Sequence, residues 1–370
     1  MIINKNETIS SFQLFFYMVI AQLNVGIFTL PRYIYLNSNH DGWISILFSC
    51  LFSLCTLLLY SFLLKRFPNL TIFEICKLLF GKWIGGFLKY TYVLYFIYIG
   101  YLINLFFLFS FNKWIFPNSP SWSILLLLLI IGLYLGKENI RTMTRFFQVS
   151  IWTAFIIFFF SIEAFQDMDW KYFLPIAEAN FTDILKGSHT SYYFSHGFEC
   201  LLVVYPFVTG NHSKKMKSSM FSIIFVTIIN LYIVILCIGF FSNKEMKIIP
   251  EPTIYLFKTL TFFQELERLD LLFLSVWFVI IASCFVVYLG LANVGISNLL
   301  GKSRNKTLST LIICLLIFIA ANIVPSSKGF IDVLMKILSI TSIIYMVVIP
   351  LLMLCISLLF KIKSKEVKPT

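Results

Sequence analysis

Gln22-Leu23-Asn24-Val25-Gly26-Ile27-Phe28-Thr29-Leu30-Pro31 occupies the middle and outer half of an apolar run over residues 11–35. A run of that length matches a helix crossing about 30 Å of hydrocarbon, which takes roughly 20 residues. Yet two amides, a glycine, a hydroxyl and a proline fall inside it. Proline removes a backbone donor and clashes with the preceding turn, and glycine loosens the helix. Backbone groups released at that depth must be satisfied by protein, water or a ligand. The stretch therefore reads as a discontinuous membrane helix.

A second run, residues 190–210, repeats the arrangement: Tyr192-Tyr193-Phe194-Ser195-His196-Gly197-Phe198-Glu199-Cys200, and later Pro206. Apolar runs with charged borders predict spans near 11–35, 42–64, 86–112, 121–136, 146–165, 190–210, 217–241, 268–298, 307–325 and 330–360. The broken spans then open two five-span halves, about 10–165 and 190–360, of a single transmembrane domain covering 1–370. An odd number of spans per half inverts the second half. Paired interrupted helices in inverted halves point to a substrate site at the bilayer midplane. The competing reading is that glycine and proline, common in membrane helices, merely kink both spans.

Of the 370 residues, 59% are hydrophobic and 12% charged, whereas a soluble domain carries about a quarter charged residues. The mean hydropathy is +0.89. Runs such as Ser123 to Gly132 are apolar on every side, unlike the alternating strands of a membrane barrel. The expected class is an all-α polytopic membrane protein. The net charge of +12 fits a positive-inside bias. Lys65, Arg66, Lys77, Lys82, Lys137, Arg141, Arg145, Lys214, Lys215, Lys217, Lys361 and Lys363 fall in loops on one side, with Lys5, Lys302, Arg304, Lys306, Lys365 and Lys368. The alternate loops hold half as many Lys and Arg and most of the acids, so both termini are expected in the cytoplasm.

No aromatic-basic module accompanies the charge, and nucleic acid is not an expected partner. The eight cysteines mostly lie inside spans without a C-x-x-C pair, as small hydrophobes do. The sequence holds no nucleophile–base set, Walker loop, dinucleotide fingerprint or metal cluster. Neither enzyme activity nor a cofactor nor a metal is expected.

Glu199 is the most informative single residue. A carboxylate inside a span costs about 3 kcal/mol even on a lenient insertion scale and marks a functional site by default. His196, one turn earlier, would share a proton or hydrogen bond with it if the helix were continuous. The alternative is a structural pair that joins two helices. Tyr92, Tyr95, Tyr98 and Leu102 align on one face of span three, lining a cavity or simply packing. In span eight the polar positions are Ser283, Tyr288 and Asn293, with Gly290 and Gly295 allowing close helix approach. No clear sodium site emerges. The outer loops, about 166–189 and 242–267, are acidic, carrying Glu265 and Glu267 among others. In the second, Glu251 to Phe263 predicts a short helix with Ile254, Leu256, Phe257 and Leu260 near one face, lying on the membrane or capping the outer mouth. Thr71 to Lys82 predicts a similar piece on the inner side.

Gly26-Ile-Phe-Thr-Leu-Pro31, Gly197-Phe-Glu199 with Pro206, and Glu267-Arg268-Leu269-Asp270 followed by Leu-Leu-Phe-Leu-Ser-Val-Trp277 resemble the B subunits of bacterial spore germinant receptors, across essentially the whole chain. The Glu267 to Asp270 motif is the most specific. That family resembles a branch of the amino acid-polyamine-organocation transporters, which implies the five-plus-five inverted repeat of the leucine-transporter type. The resemblance also implies partner A and C subunits, the inner spore membrane, and a small nutrient held by spans one, three, six and eight. The matching pocket positions are Gly26, Thr29, Tyr98, Leu102, Gly197, Glu199, Cys200 and Tyr288.

The expected function is nutrient sensing, with an amino acid or similar germinant near the midplane. Its carboxylate would accept from free amides near Gly26 while carbonyls and hydroxyls take the ammonium group. The alternatives are a proton-coupled amino acid transporter using Glu199 as carrier, and a germinant-gated ion channel component.

Overall fold

Ser10 opens the first helix. Its hydroxyl accepts the Gln13 amide at 3.1 Å, and the Gln13 side chain accepts the Ser10 amide at 3.0 Å, a reciprocal cap that satisfies two otherwise free donors. Helix α1 (Ser11–Gln22) stops there, and the chain resumes as a tight turn (Val25–Phe28) and α2 (Leu30–Ser38). Pro31 sits in the first turn of α2, where its missing N–H breaks no bond within that helix. A second tight turn at Asn39–Asp41 leads into α3 (Gly42–Arg66). The computed structural model describes residues 7–260, 268–301, 305–323 and 328–364. Lys5, Thr261 to Glu267, Lys302, Arg304, Lys365 and Lys368, which entered the readings above, lie outside the described residues.

Thr71 and Glu74 cap α4 (Ile72–Trp114), which Gly81 interrupts at φ +75°. That residue sets off the short first segment expected on the inner side. Helices α5 (Ser121–Gly136) and α6 (Ile140–Ser161) follow. The long loop after α6 is pinned by the buried Asp41, whose carboxylate accepts the amides of Ala177 and Ala179 at 2.8 and 2.9 Å. The second interrupted run comprises α7 (Phe181–Phe194), a tight turn, and the short α8 (Leu201–Val204). Then come α9 (His212–Phe240), α10 (Asn243–Ile248), α11 (Pro252–Thr259) and α12 (Leu269–Leu300). The chain closes with α13 (Lys306–Ile323), α14 (Lys328–Ile343), a wide π turn (Ile344–Val348) and α15 (Ile349–Leu359).

Helix α12 is the hub, packed against α1, α4, α5, α6, α11 and α13. Small residues let it come close: a Cβ on Gly132 would meet Phe285 at 2.4 Å, and one on Gly295 would meet Val93 at 2.4 Å. Small interfacial residues are how membrane helices gain packing without a hydrophobic drive between them. Leu58, Phe62, Leu127, Phe155, Phe159 and Leu316 face outward, the apolar surface that lipid covers. Of the helical runs among the described residues, seven are long and apolar enough to cross a membrane. Three further apolar helices, Ser11–Gln22, Ser121–Gly136 and Phe198–Phe207, are shorter, two of them because the chain breaks beside them. The helix in the second acidic loop packs on the bundle: Ile254, Leu256, Phe257 and Leu260 are all buried. At the start of α12, Arg268 grips the buried Asp270 with two hydrogen bonds of 3.0 Å.

Candidate functional site

The two breaks face each other, and the two broken spans are tied together twice, once at their basic ends and once at the breaks themselves. At the basic end, the Ile9 amide donates to the Phe207 carbonyl at 3.0 Å and the Thr209 amide to the Ile9 carbonyl at 2.8 Å. Deeper in, Asn24 Nδ2 donates to the Phe194 carbonyl at 3.2 Å, the last residue of α7. Its other amide atom, Oδ1, accepts the Gly26 N–H at 2.7 Å. Free amides near Gly26 are expected to meet a ligand carboxylate; that of Gly26 itself is bound by the chain. Thr29 Oγ1 donates to the Gly26 carbonyl at 3.4 Å, and Trp277 Nε1 to the Asn24 carbonyl at 3.2 Å.

Proline explains two further contacts. A residue's N–H normally meets the carbonyl four positions back, so Pro31 orphans the Ile27 carbonyl and Pro350 orphans that of Met346. Thr253 Oγ1 on α11 donates to the first at 2.7 Å, and Tyr60 Oη on α3 donates to the second at 2.8 Å. Beside it, the π turn frees the Tyr345 carbonyl, which accepts Tyr92 Oη at 3.0 Å.

The second break turns on Gly197, at φ +131° with a virtual Cβ only 2.2 Å from the Ala21 carbonyl oxygen. Only glycine tolerates both that dihedral and that approach. The freed Gly197 N–H donates to Glu199 Oε2 at 2.6 Å. Glu199 Oε1 accepts from Tyr288 Oη at 3.3 Å and Tyr95 Oη at 3.4 Å. The carboxylate is 1% exposed, and a buried charge persists only with such hydrogen bonds. Tyr95 is stacked on Tyr345, ring centroids 4.6 Å apart.

His196 does not hydrogen-bond Glu199, because the helix that would align them is broken. Its Nδ1 donates to the Tyr193 carbonyl at 2.8 Å. Its Nε2 is buried with no hydrogen-bond partner among the described residues; leaving such a group unpaired costs about 1–3 kcal/mol.

The fold therefore gathers Gly26, Thr29, Gly197, Glu199, Cys200 and Tyr288 around the breaks. Tyr98 is directed elsewhere: its hydroxyl donates to the Leu334 carbonyl on α14 at 2.9 Å, and Tyr95 takes the position beside Glu199. Leu102 is buried one turn beyond Tyr98. Sequence reasoning missed Trp277 and Tyr345 as neighbours of the breaks; for Tyr345 the available sign was Pro350, which follows the irregular turn that holds it. Ser283 and Asn293 are committed to helix contacts, with Ser150 at 3.0 Å and Thr310 at 2.8 Å. A cleft of about 940 Å³ at the basic end is lined by Glu7, Glu74, Lys77, Lys89 and Asn298. One of about 800 Å³ between α2, α7 and α14 is lined by Tyr33, Lys186, His189, Tyr193 and Ser339.

Solved transporter structures share this architecture. The chain is similar to MHP1, a nucleobase-cation-symport-1 family transporter in a closed conformation with bromovinylhydantoin bound, at a TM-score of 0.63 and 10% identity, covering 93% of this chain and 78% of that one. A Na⁺-coupled sialic acid symporter in an outward-open state matches at 0.59 and 12%, over 93% and 74%. These likenesses show the fold, a leucine-transporter-type helical bundle. Among curated sequences, spore germination protein GerQB of Bacillus cereus is 28% identical over 313 residues, 84% of this chain and 85% of that protein. Spore germination protein YndE of Bacillus subtilis (strain 168) is 23% identical over 345 residues, 90% and 92%. The family model described as spore germination protein, a spore permease, matches residues 8–331. With its long apolar helices and transporter fold, this chain is a multi-pass, non-enzymatic integral membrane protein, and it belongs to the spore germination protein family.

Proposed function

We propose that the chain is the nutrient-sensing membrane subunit of a germinant receptor, working with A and C subunits in the inner spore membrane with both termini in the cytoplasm. A small amino acid or similar amine-bearing nutrient binds between the first break, α4, the second break and α12. The observation that carries this reading is the facing pair of breaks, joined by Asn24 and Phe194, with the buried Glu199 carboxylate beside them. The inverted halves of about 10–165 and 190–360 belong to the same proposal. Binding signals only if the nutrient favours one conformation over another, since equal affinity shifts nothing.

Spores whose sole matching receptor carries Gly26→Ala or Glu199→Gln, scored against a nutrient panel, test the site. A Cβ at Gly26 would sit 2.6 Å from the Phe194 ring. Lost or altered nutrient preference at normal protein level is the expected result. Unchanged responses from both variants overturn the reading.

The clefts at the two ends of the bundle favour a second reading, passage of a solute or ion past the same residues. Uptake of labelled amino acid into proteoliposomes would identify a proton-coupled transporter, and ligand-triggered cation efflux a channel component.

A further inference from the structure

The polar inventory at the breaks is lopsided. Two of the backbone donors released there are already taken, Gly26 N–H by Asn24 Oδ1 at 2.7 Å and Gly197 N–H by Glu199 Oε2 at 2.6 Å. The Asn24 amide donates to the carbonyls of Gln22 and Phe194 at 3.3 and 3.2 Å. Two side-chain acceptors there are under-used. Glu199 Oε1 is held only by two long contacts of 3.3 and 3.4 Å from phenol hydroxyls. His196 Nε2 has no partner among the described residues, on a side chain 5% exposed.

The tautomer of His196 follows from its other nitrogen. The Tyr193 carbonyl can only accept, so Nδ1 carries the proton and Nε2 of the neutral ring presents a lone pair. The ring lies 6.0 Å from that of Tyr288, whose hydroxyl reaches Glu199. The two open acceptors therefore share the wall formed by Tyr288, and aromatic faces beside them favour a cation. A ligand carboxylate placed there would meet the Glu199 carboxylate as a like charge, with the Gly26 and Gly197 amides already occupied.

We infer that His196 is a specificity residue: its Nε2 accepts an N–H from the ligand's ammonium group while Glu199 Oε1 balances the charge, and the ligand's carboxylate is not read at the helix ends. This rests on the nutrient-site reading above and names the ligand class as primary amines rather than amino acids alone.

The test uses intact receptor in spores lacking other receptors, with dose–response curves for amino acids, the matching amino alcohols and the matching N,N,N-trimethyl betaines. The wild type should respond to an amino acid and to its amino alcohol at similar concentrations, and about 10-fold less sensitively to the betaine, which keeps the charge but has no N–H. His196→Phe should raise the half-maximal concentration for both amines about 10-fold and abolish their advantage over the betaine. His196→Gln, which restores an acceptor, should recover part of it. Protein level is checked for each variant. A wild type that responds to the betaine but not the amino alcohol overturns the inference, as does His196→Phe with unshifted curves. A wild type blind to every amine overturns both this inference and the nutrient-site reading. Normal amine responses that survive Gly26→Ala and Glu199→Gln overturn the nutrient-site reading itself.

Discussion

Asn24 Nδ2 donates to the carbonyl of Phe194 at 3.2 Å, so one side chain holds the break of the first span against the break of the other, 170 positions along the chain. The same amide accepts the Gly26 N–H. Asn24→Ala leaves a buried donor and a buried acceptor unpaired and should destabilise the protein by about 1–3 kcal/mol. Asn24→Asp keeps the Gly26 contact and loses the other, so its loss of thermal stability in detergent micelles should be smaller. Equal losses for the two variants would show that the Gly26 contact contributes nothing.

Gly197→Ala meets two obstacles at once, φ +131° and a backbone oxygen 2.2 Å from the new Cβ. Membrane-inserted protein should fall severalfold. Gly86→Ala, where nothing lies within 4 Å and where alanine is the better helix former, should leave it unchanged. Comparing the two variants by immunoblot of membrane fractions separates local strain from a general intolerance of glycine replacement.

Tyr60 and Pro350 are coupled through the Met346 carbonyl. Tyr60→Phe alone should cost about 1–3 kcal/mol by leaving that oxygen unpaired. In a Pro350→Ala background the restored backbone N–H supplies a partner, and the cost of Tyr60→Phe should shrink by about 1 kcal/mol. Denaturant melts of the four combinations give the coupling directly; additivity would refute the link.

Glu251 accepts Ser110 Oγ at 2.6 Å, Lys113 Nζ at 2.9 Å and Trp114 Nε1 at 2.7 Å, anchoring α11 to the end of α4. Its side chain is buried, whereas that of Lys113 is 49% exposed. Lys113→Ala should therefore lower stability by less than about 1 kcal/mol. Glu251→Ala, which strands buried donors, should cost about 2 kcal/mol or more. Thermal melts of the two variants decide it.

The broken spans were legible because glycine and proline interrupt an apolar run for reasons local to the backbone. Some helix boundaries match closely, 121–136 being α5 in both readings, whereas the helix expected over 86–112 begins at Ile72 and the run expected over 190–210 begins at Phe181. His196 and Glu199 would meet on one turn of a continuous helix, and the break at Gly197 removes that condition. Helical spacing aligns Tyr92, Tyr95, Tyr98 and Leu102 on one face, but periodicity gives a face and not which neighbouring helix each residue meets: Tyr95 reaches Glu199 and Tyr98 reaches Leu334.

By itself the sequence determined the solvent, the helical class and the two interruptions, since transfer of apolar side chains and loss of backbone donors act residue by residue. Only the tertiary structure decided who satisfies the released groups. Asn24 rather than a ligand took the Gly26 amide, Thr253 and Tyr60 took the proline-orphaned carbonyls, and His196 was left with an open acceptor. Those pairings join residues as much as 286 positions apart, and a hydrogen bond of about 3 Å depends on how whole helices dock.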